Sequence, residues 1–283
     1  MAYILLSIIL FSFNNILWKK NLQHTTILFL VSYRSSITAL LSLAIAFYLE
    51  CFNNITLIQL LYVSIGSFFG VIGLLCMLKV IKKASLHWLG VYNLLGILFT
   101  TLYLLLIEKL EFKYSIIGVF FVLIGFIFYI KSTRDKSIKM KLNQHILMLI
   151  MIISFSVSSI IHWKNLITEI PTLIILSNQE LIVFIISFLL GIIYKGEDFK
   201  IYYYRNYFSK IIFMAIIIFF ALFCSFLGLK QTDPFLSSLL FLASPLTTIV
   251  LNIIFFKEHL SKQNLFALLL MSIGAFILHQ IAN

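Results

Sequence analysis

Acidic residues are scarce in this 283-residue chain: Asp and Glu number 10 against 21 Lys and Arg, and charged residues are only 11% of the total. Soluble domains carry roughly 25% charged residues, so a chain this poor in charge cannot clothe a water-soluble surface. Cysteine is almost absent. Cys51, Cys76 and Cys224 form no CxxC or Cys/His spacing, and two of them lie inside apolar runs, which excludes a disulfide framework and a zinc site. There is also no phosphate loop, no GxSxG and no HExxH. ATP-driven pumping by this chain alone and the common hydrolytic chemistries are therefore not expected. The expectation is no catalytic residue, no metal and no cofactor.

What is abundant is apolar sequence: 62% of residues are hydrophobic and the mean hydropathy is +1.09. The chain reads as an all-α integral membrane protein of the cell's inner (plasma) membrane, with the lipid bilayer as its first partner. Its formal charge of +11 does not point to nucleic acid, because the basic residues sit in short gaps between apolar runs, where topology signals lie. The first residues have no basic n-region and no small-residue cleavage site before Trp18-Lys-Lys, so they read as a retained span.

A helix crossing about 30 Å of hydrocarbon needs about 20 mainly apolar residues. That ruler marks ten spans near 2–18, 26–48, 57–78, 85–107, 114–130, 146–163, 171–193, 209–228, 235–256 and 264–281. The stretch Lys131–Lys141 is the longest that could not sit in a bilayer, with five basic residues against Asp135. It divides the chain into residues 1–130, a basic linker at 131–144, and residues 145–283, with five spans on each side.

The two halves repeat. Phe11–Leu22 aligns with Phe155–Leu166 at six of twelve positions, and Ile107–Leu110 aligns with Lys257–Leu260. Gly118 and Gly125 match Ala267 and Gly274, small residues seven apart on one helical face that allow close packing. An odd number of spans per repeat forces the second half to enter from the opposite side. Secondary transporters commonly have this inverted design, with the substrate site between the repeats.

Two five-span repeats, an Arg in the second span (Tyr33-Arg34), a Glu closing the fourth and ninth (Glu108 and Glu258), and Gly-containing fifth and tenth spans resemble an EamA-type member of the drug/metabolite transporter superfamily. Pro245 matches the family's ninth-span proline, whereas Leu95 holds the equivalent fourth-span place and Asn178-Gln179-Glu180 stands where a seventh-span Arg is frequent. The resemblance implies a ten-helix, basket-like carrier moving small metabolites or amino acids by alternating access. It also implies cytoplasmic termini. Charge says otherwise: sixteen Lys and Arg lie on the linker's side and four on the other, and basic short loops stay in the cytoplasm. By that rule the linker is cytoplasmic and the termini face outward.

Arg34 and Glu180 are the charges deepest in their spans, two positions apart in the aligned repeats. Either, unpaired at a helix centre, costs about 2.5–3.5 kcal/mol on insertion scales. One reading is a structural pair holding the halves together. The other is function, with Arg34 meeting a substrate carboxylate or Glu180 taking up a proton. Candidate substrate-binding residues are Asn14 and Trp18 in span one, Trp88, Tyr92 and Asn93 in span four, Ser158, Ser159 and His162 in span six, and Ser238 and Ser244 in span nine. Aromatic rings with a few amides and hydroxyls suit a small amphipathic ligand. The competing readings are interfacial anchoring for the tryptophans and helix–helix contact for the serines. Glu108 and Glu258 are candidate gating residues, against a rival reading as interfacial charge pairs. The functional alternatives to a permease are a non-transporting membrane scaffold, a lipid-handling subunit, or an intramembrane enzyme. The enzyme would need clustered His or carboxylates, yet the six His lie at different span ends.

Overall fold

The computed structural model describes every residue except 1, 54, 85, 108–114, 133–139, 195–204, 206, 232–246, 248–254, 256–260 and 283. Among the described residues there is no strand. The described residues include nine helices, in order α1 (Ala2–Asn21), α2 (Ile27–Tyr48), α3 (Leu57–Ile81), α4 (His87–Ile107), α5 (Ser115–Ser132), α6 (Leu142–Ile167), α7 (Thr172–Ile193), α8 (Phe208–Gln231) and α9 (Lys262–Ala282). Six of these, α1, α2, α3, α6, α7 and α8, are long and apolar enough to cross a membrane. The expected ninth span, with Ser238, Ser244 and Glu258, lies outside the described residues apart from Thr247 and Phe255; so do Glu108 and residues 133–139 of the linker.

Local chemistry sets the helix starts. Thr56 caps α3 as a capping box, accepting from the Gln59 amide at 3.3 Å while Gln59 Oε1 accepts from the Thr56 amide at 2.9 Å. Thr26 caps α2 by accepting from the Phe29 amide. Pro171 sits at the cap position of α7, one residue ahead of the first helical place. Its carbonyl there accepts from Ile174 at 2.9 Å, and its missing N–H is not needed. The turns after α2 and α6 each pass through a Glu in the left-handed region, Glu50 (φ 53°) and Glu169 (φ 63°).

The surface is apolar and the interior is comparatively polar, the reverse of a soluble bundle. Leu40, Ile58, Phe120 and Ile192 point outward, while Ser32, Arg34, Ser35, Thr38 and Ser42 of α2 are buried. Where lipid replaces water, helices associate through close packing and interhelical hydrogen bonds. Both are present. The most extensive contacts are α5 with α9, α2 with α7, α3 with α6, and α1 with α8.

Each of these pairs runs antiparallel. Gly66, Gly70 and Gly73 of α3 meet His162, Ser158 and Phe155 of α6 in descending order. Across α2 and α7, Ser32 bonds Ser187 at 2.9 Å and Arg34 pairs with Glu180. Ile4 and Asn21 of α1 meet Gly228 and Met214 of α8. In the α5–α9 pair the backbones touch. A Cβ on Gly274 would stand 2.6 Å from the Gly118 carbonyl oxygen, and one on Gly125 would stand 2.9 Å from that of Ala267. These are the four small residues aligned between the halves, and they pack reciprocally on one another.

Candidate transport cavity

Helices α1, α2, α3, α4, α6, α7 and α8 leave between them a cavity of about 310 Å³. That is at the small end of ligand sites, which run from about 300 to 1,000 Å³. Both halves of the chain contribute to its wall.

Its electrostatic centre is an ion pair. Arg34 on α2 and Glu180 on α7 are 1% and 2% exposed. Arg34 Nη1 donates to Glu180 Oε2, and the guanidinium carbon lies 5.5 Å from the centroid of the Trp18 ring. That distance is within cation–π range. Arg34 is thus clamped between an anion and an aromatic face, which fixes the plane of its donors. Its Nε has no partner among the described residues. Other than Arg34 and Glu180, the described lining carries no charged side chain.

Around this pair the wall alternates amides, hydroxyls and rings. Asn14 and Asn15 come from α1, Asn93 from α4, Ser156, Ser158 and Ser159 from α6, Gln179 from α7 and Ser225 from α8. The rings are Phe11, Trp18, Phe155 and Phe226. Asn14 Oδ1 and both ring nitrogens of His162 are buried without a partner among the described residues. His162 instead meets Phe226 edge-on, with ring centroids 5.3 Å apart. Buried polar atoms normally have partners, so these three atoms, on side chains of α1 and α6 that line the cavity, are left unsatisfied.

Of the residues singled out from sequence, Asn14, Trp18, Arg34, Asn93, Ser158, Ser159, His162 and Glu180 line this cavity together. Trp88 and Tyr92 do not. On α4 the lining positions are Leu89, Asn93 and Gly96, a helical i, i+4, i+7 stripe. Trp88 and Tyr92 are each one residue earlier, rotated about 100° away. They pack instead toward the start of α6. Tyr92 Oη and His145 Nδ1 are 2.7 Å apart, and Trp88 meets Tyr129 and His145 edge-on at 5.3 and 5.1 Å. This aromatic knot ties the first half to the segment just after the linker. Gln179 was signalled only by its place in Asn178-Gln179-Glu180. Its neighbour Asn178 turns away from the cavity and bonds Ser64 and Ser67 of α3 at 3.1 and 3.0 Å.

Known proteins place this architecture. Among curated proteins no sequence matches. Twenty-six chains of solved structures match. One, a crystal structure of a protein, is similar over 98% of both chains with a TM-score of 0.65 and 17% identity, a likeness of fold. The model of the EamA-like transporter family matches residues 143–279. Six apolar helices of spanning length and that match lead to one conclusion: this is an integral membrane protein whose residues 143–279 match the EamA-like transporters of the drug/metabolite superfamily.

Proposed function

We propose that the protein is a secondary transporter carrying a small metabolite by alternating access through this cavity, in the inner (plasma) membrane, with proton coupling at Glu180. The observation that carries the reading is a ligand-sized cavity bridged by one buried Arg–Glu pair from the two halves. A scaffold has no need of either. Intramembrane ionisable residues that face a cavity mark substrate or ion pathways by default.

Helix pairing supports two inverted five-helix repeats as the frame. Exchanging the first helix for the sixth, second for seventh, third for eighth and fifth for last leaves α2–α7 and α5–α9 unchanged. The same exchange turns α1–α8 into α3–α6. Those are the four most extensive packings. The exchange also relates the α4–α6 packing to contacts between the ninth-span region and α1, where Ser12 Oγ lies 2.7 Å from Thr247 Oγ1 and Phe13 lies against Phe255. Antiparallel pairing of α2 with α7 fits halves of opposite orientation, the design in which one repeat rocks against the other. The bias of basic residues puts the linker in the cytoplasm.

Cysteine accessibility tests this. With Cys51, Cys76 and Cys224 replaced by Ser, a Ser158→Cys variant in sealed vesicles is expected to react with membrane-impermeant thiol reagents added from either side. Reaction from one side only under every condition, or from neither, would refute alternating access at this cavity.

A further inference from the structure

We propose that the cavity takes a small monocarboxylate together with one proton: the ligand's carboxylate replaces Glu180 on Arg34, and Glu180 becomes the neutral acid. This names the substrate class of the transport site and rests on that reading.

The argument is one of charge balance. Arg34 and Glu180 are the charged groups of the described lining and cancel each other. A ligand with net charge would leave an uncompensated charge out of water, at heavy cost. Only one member of the pair can be neutralised, because Arg keeps its proton in proteins whereas a carboxylate accepts one. A cation at Glu180 would strand Arg34⁺. An anion at Arg34 strands nothing if Glu180 gains a proton. The charges on the two sides are then equal: R–COO⁻, H⁺ and the Arg34–Glu180 pair give a ligand–Arg34 pair and Glu180–COOH, the new O–H bond being on Glu180.

Geometry agrees with an anion at Arg34. The guanidinium spends Nη1 on Glu180 while Nε is unpartnered among the described residues, and Trp18 holds its plane. A planar carboxylate matches that fork. The volume equals about ten water-sized groups, enough for a carboxylate with a ring or short chain as its body. Phe155 and Phe226 offer the apolar wall, and His162 and Asn14 offer unpartnered polar atoms. Two titratable groups of the described lining face Glu180 across the cavity: Arg34 from α2, which already holds its proton, and His162 from α6, which could compete for one. The described lining of α1, α3, α4 and α8 has no titratable side chain.

The test uses the purified wild-type protein, titrated calorimetrically with benzoate, phenylacetate and hexanoate, and with benzamide, phenylacetamide and hexanamide, in buffers of different ionisation enthalpy. Carboxylates are expected to bind with uptake of about one proton each, and their apparent Kd to weaken about tenfold per pH unit as pH rises. Each amide should bind at least about tenfold more weakly, without proton uptake. Carboxylate binding without proton uptake, or equal binding of the amides, overturns the exchange while leaving the cavity as the transport site. Failure of all three carboxylates to bind overturns the substrate class, and the Ser158→Cys labelling decides the transport reading separately. Glu180→Gln should keep carboxylate binding and lose its proton uptake; the wild-type titration decides the matter even where that variant does not fold. For whatever carboxylate binding His162→Gln retains, about one proton should still be taken up per ligand; binding there without uptake would place the proton on the imidazole and overturn the proposal.

Discussion

Replacing Glu180 with Gln keeps the size of the side chain and removes its charge, leaving Arg34 buried with no anion. Both residues are almost wholly buried, so solvent does little to screen the pair. Two estimates of the cost converge. Removing one partner of a buried ion pair costs about 3–5 kcal/mol, and an unpaired Arg at the centre of a membrane helix costs about 2.5–3.5 kcal/mol. Glu180→Gln and Arg34→Met should therefore each destabilise by about 3 kcal/mol or more. The double variant Arg34→Met/Glu180→Met strands no charge, and replacing a buried pair by apolar groups is often neutral or stabilising by about 1–4 kcal/mol. The double variant should then be more stable than either single. Equilibrium unfolding in mixed micelles measures all three. A surface-like pair would be worth only about 0–1 kcal/mol, so single variants within 1 kcal/mol of wild type, or a double variant whose loss equals the sum of the singles, would show that the pair is not buried and coupled as described. Substrate uptake should vanish in the double variant even though the fold persists, which separates the pair's structural role from its transport role.

Further expectations can be checked alongside. Gly73→Ala puts a methyl 2.6 Å from the Phe155 ring and should cost about 1–3 kcal/mol in the same unfolding assay. Gly274→Ala meets the Gly118 carbonyl at the same distance, and should cost more because backbone cannot rotate aside. Tyr92→Phe removes the bond to His145 and should cost about 0.5–1.5 kcal/mol with transport unchanged, since Tyr92 is not in the cavity wall. A reporter fused after Asn283 that works only in the cytoplasm should be silent, and its activity would overturn the orientation drawn from charge.

Much of the helical frame was legible because an apolar run of spanning length has few alternatives in lipid. Its ends were less so. Helix α6 begins at Leu142 and ends at Ile167, four residues beyond the expected run on each side. Helices α1 and α3 continue past Lys19 and Lys79. Charge marks where the hydrocarbon stops, but a Lys can lay its stem along apolar surface with its head in water, so the backbone stays helical through it. Arg34 and Glu180 were legible as a buried acid and base at nearly matching depth. Which face of α4 meets the cavity was not, because a helix apolar all round has no strong stripe. Trp88 and Tyr92 therefore look as eligible as Asn93 until packing separates them. His145 as the partner of Tyr92 depends on a contact across the linker that no local pattern encodes.

The reciprocal glycine contact between α5 and α9 has a consequence for how the chain is made. Gly118 and Gly125 are translated roughly 140–160 positions before Gly274 and Ala267, the residues whose backbone they meet. At synthesis rates of about 5–20 residues per second, the small-residue face of α5 waits about 7–30 s inside the membrane for its partner. During that interval the fifth helix has α4, through Trp88 on Tyr129, but not its most extensive partner, and whatever covers that bare face becomes part of the protein's biogenesis.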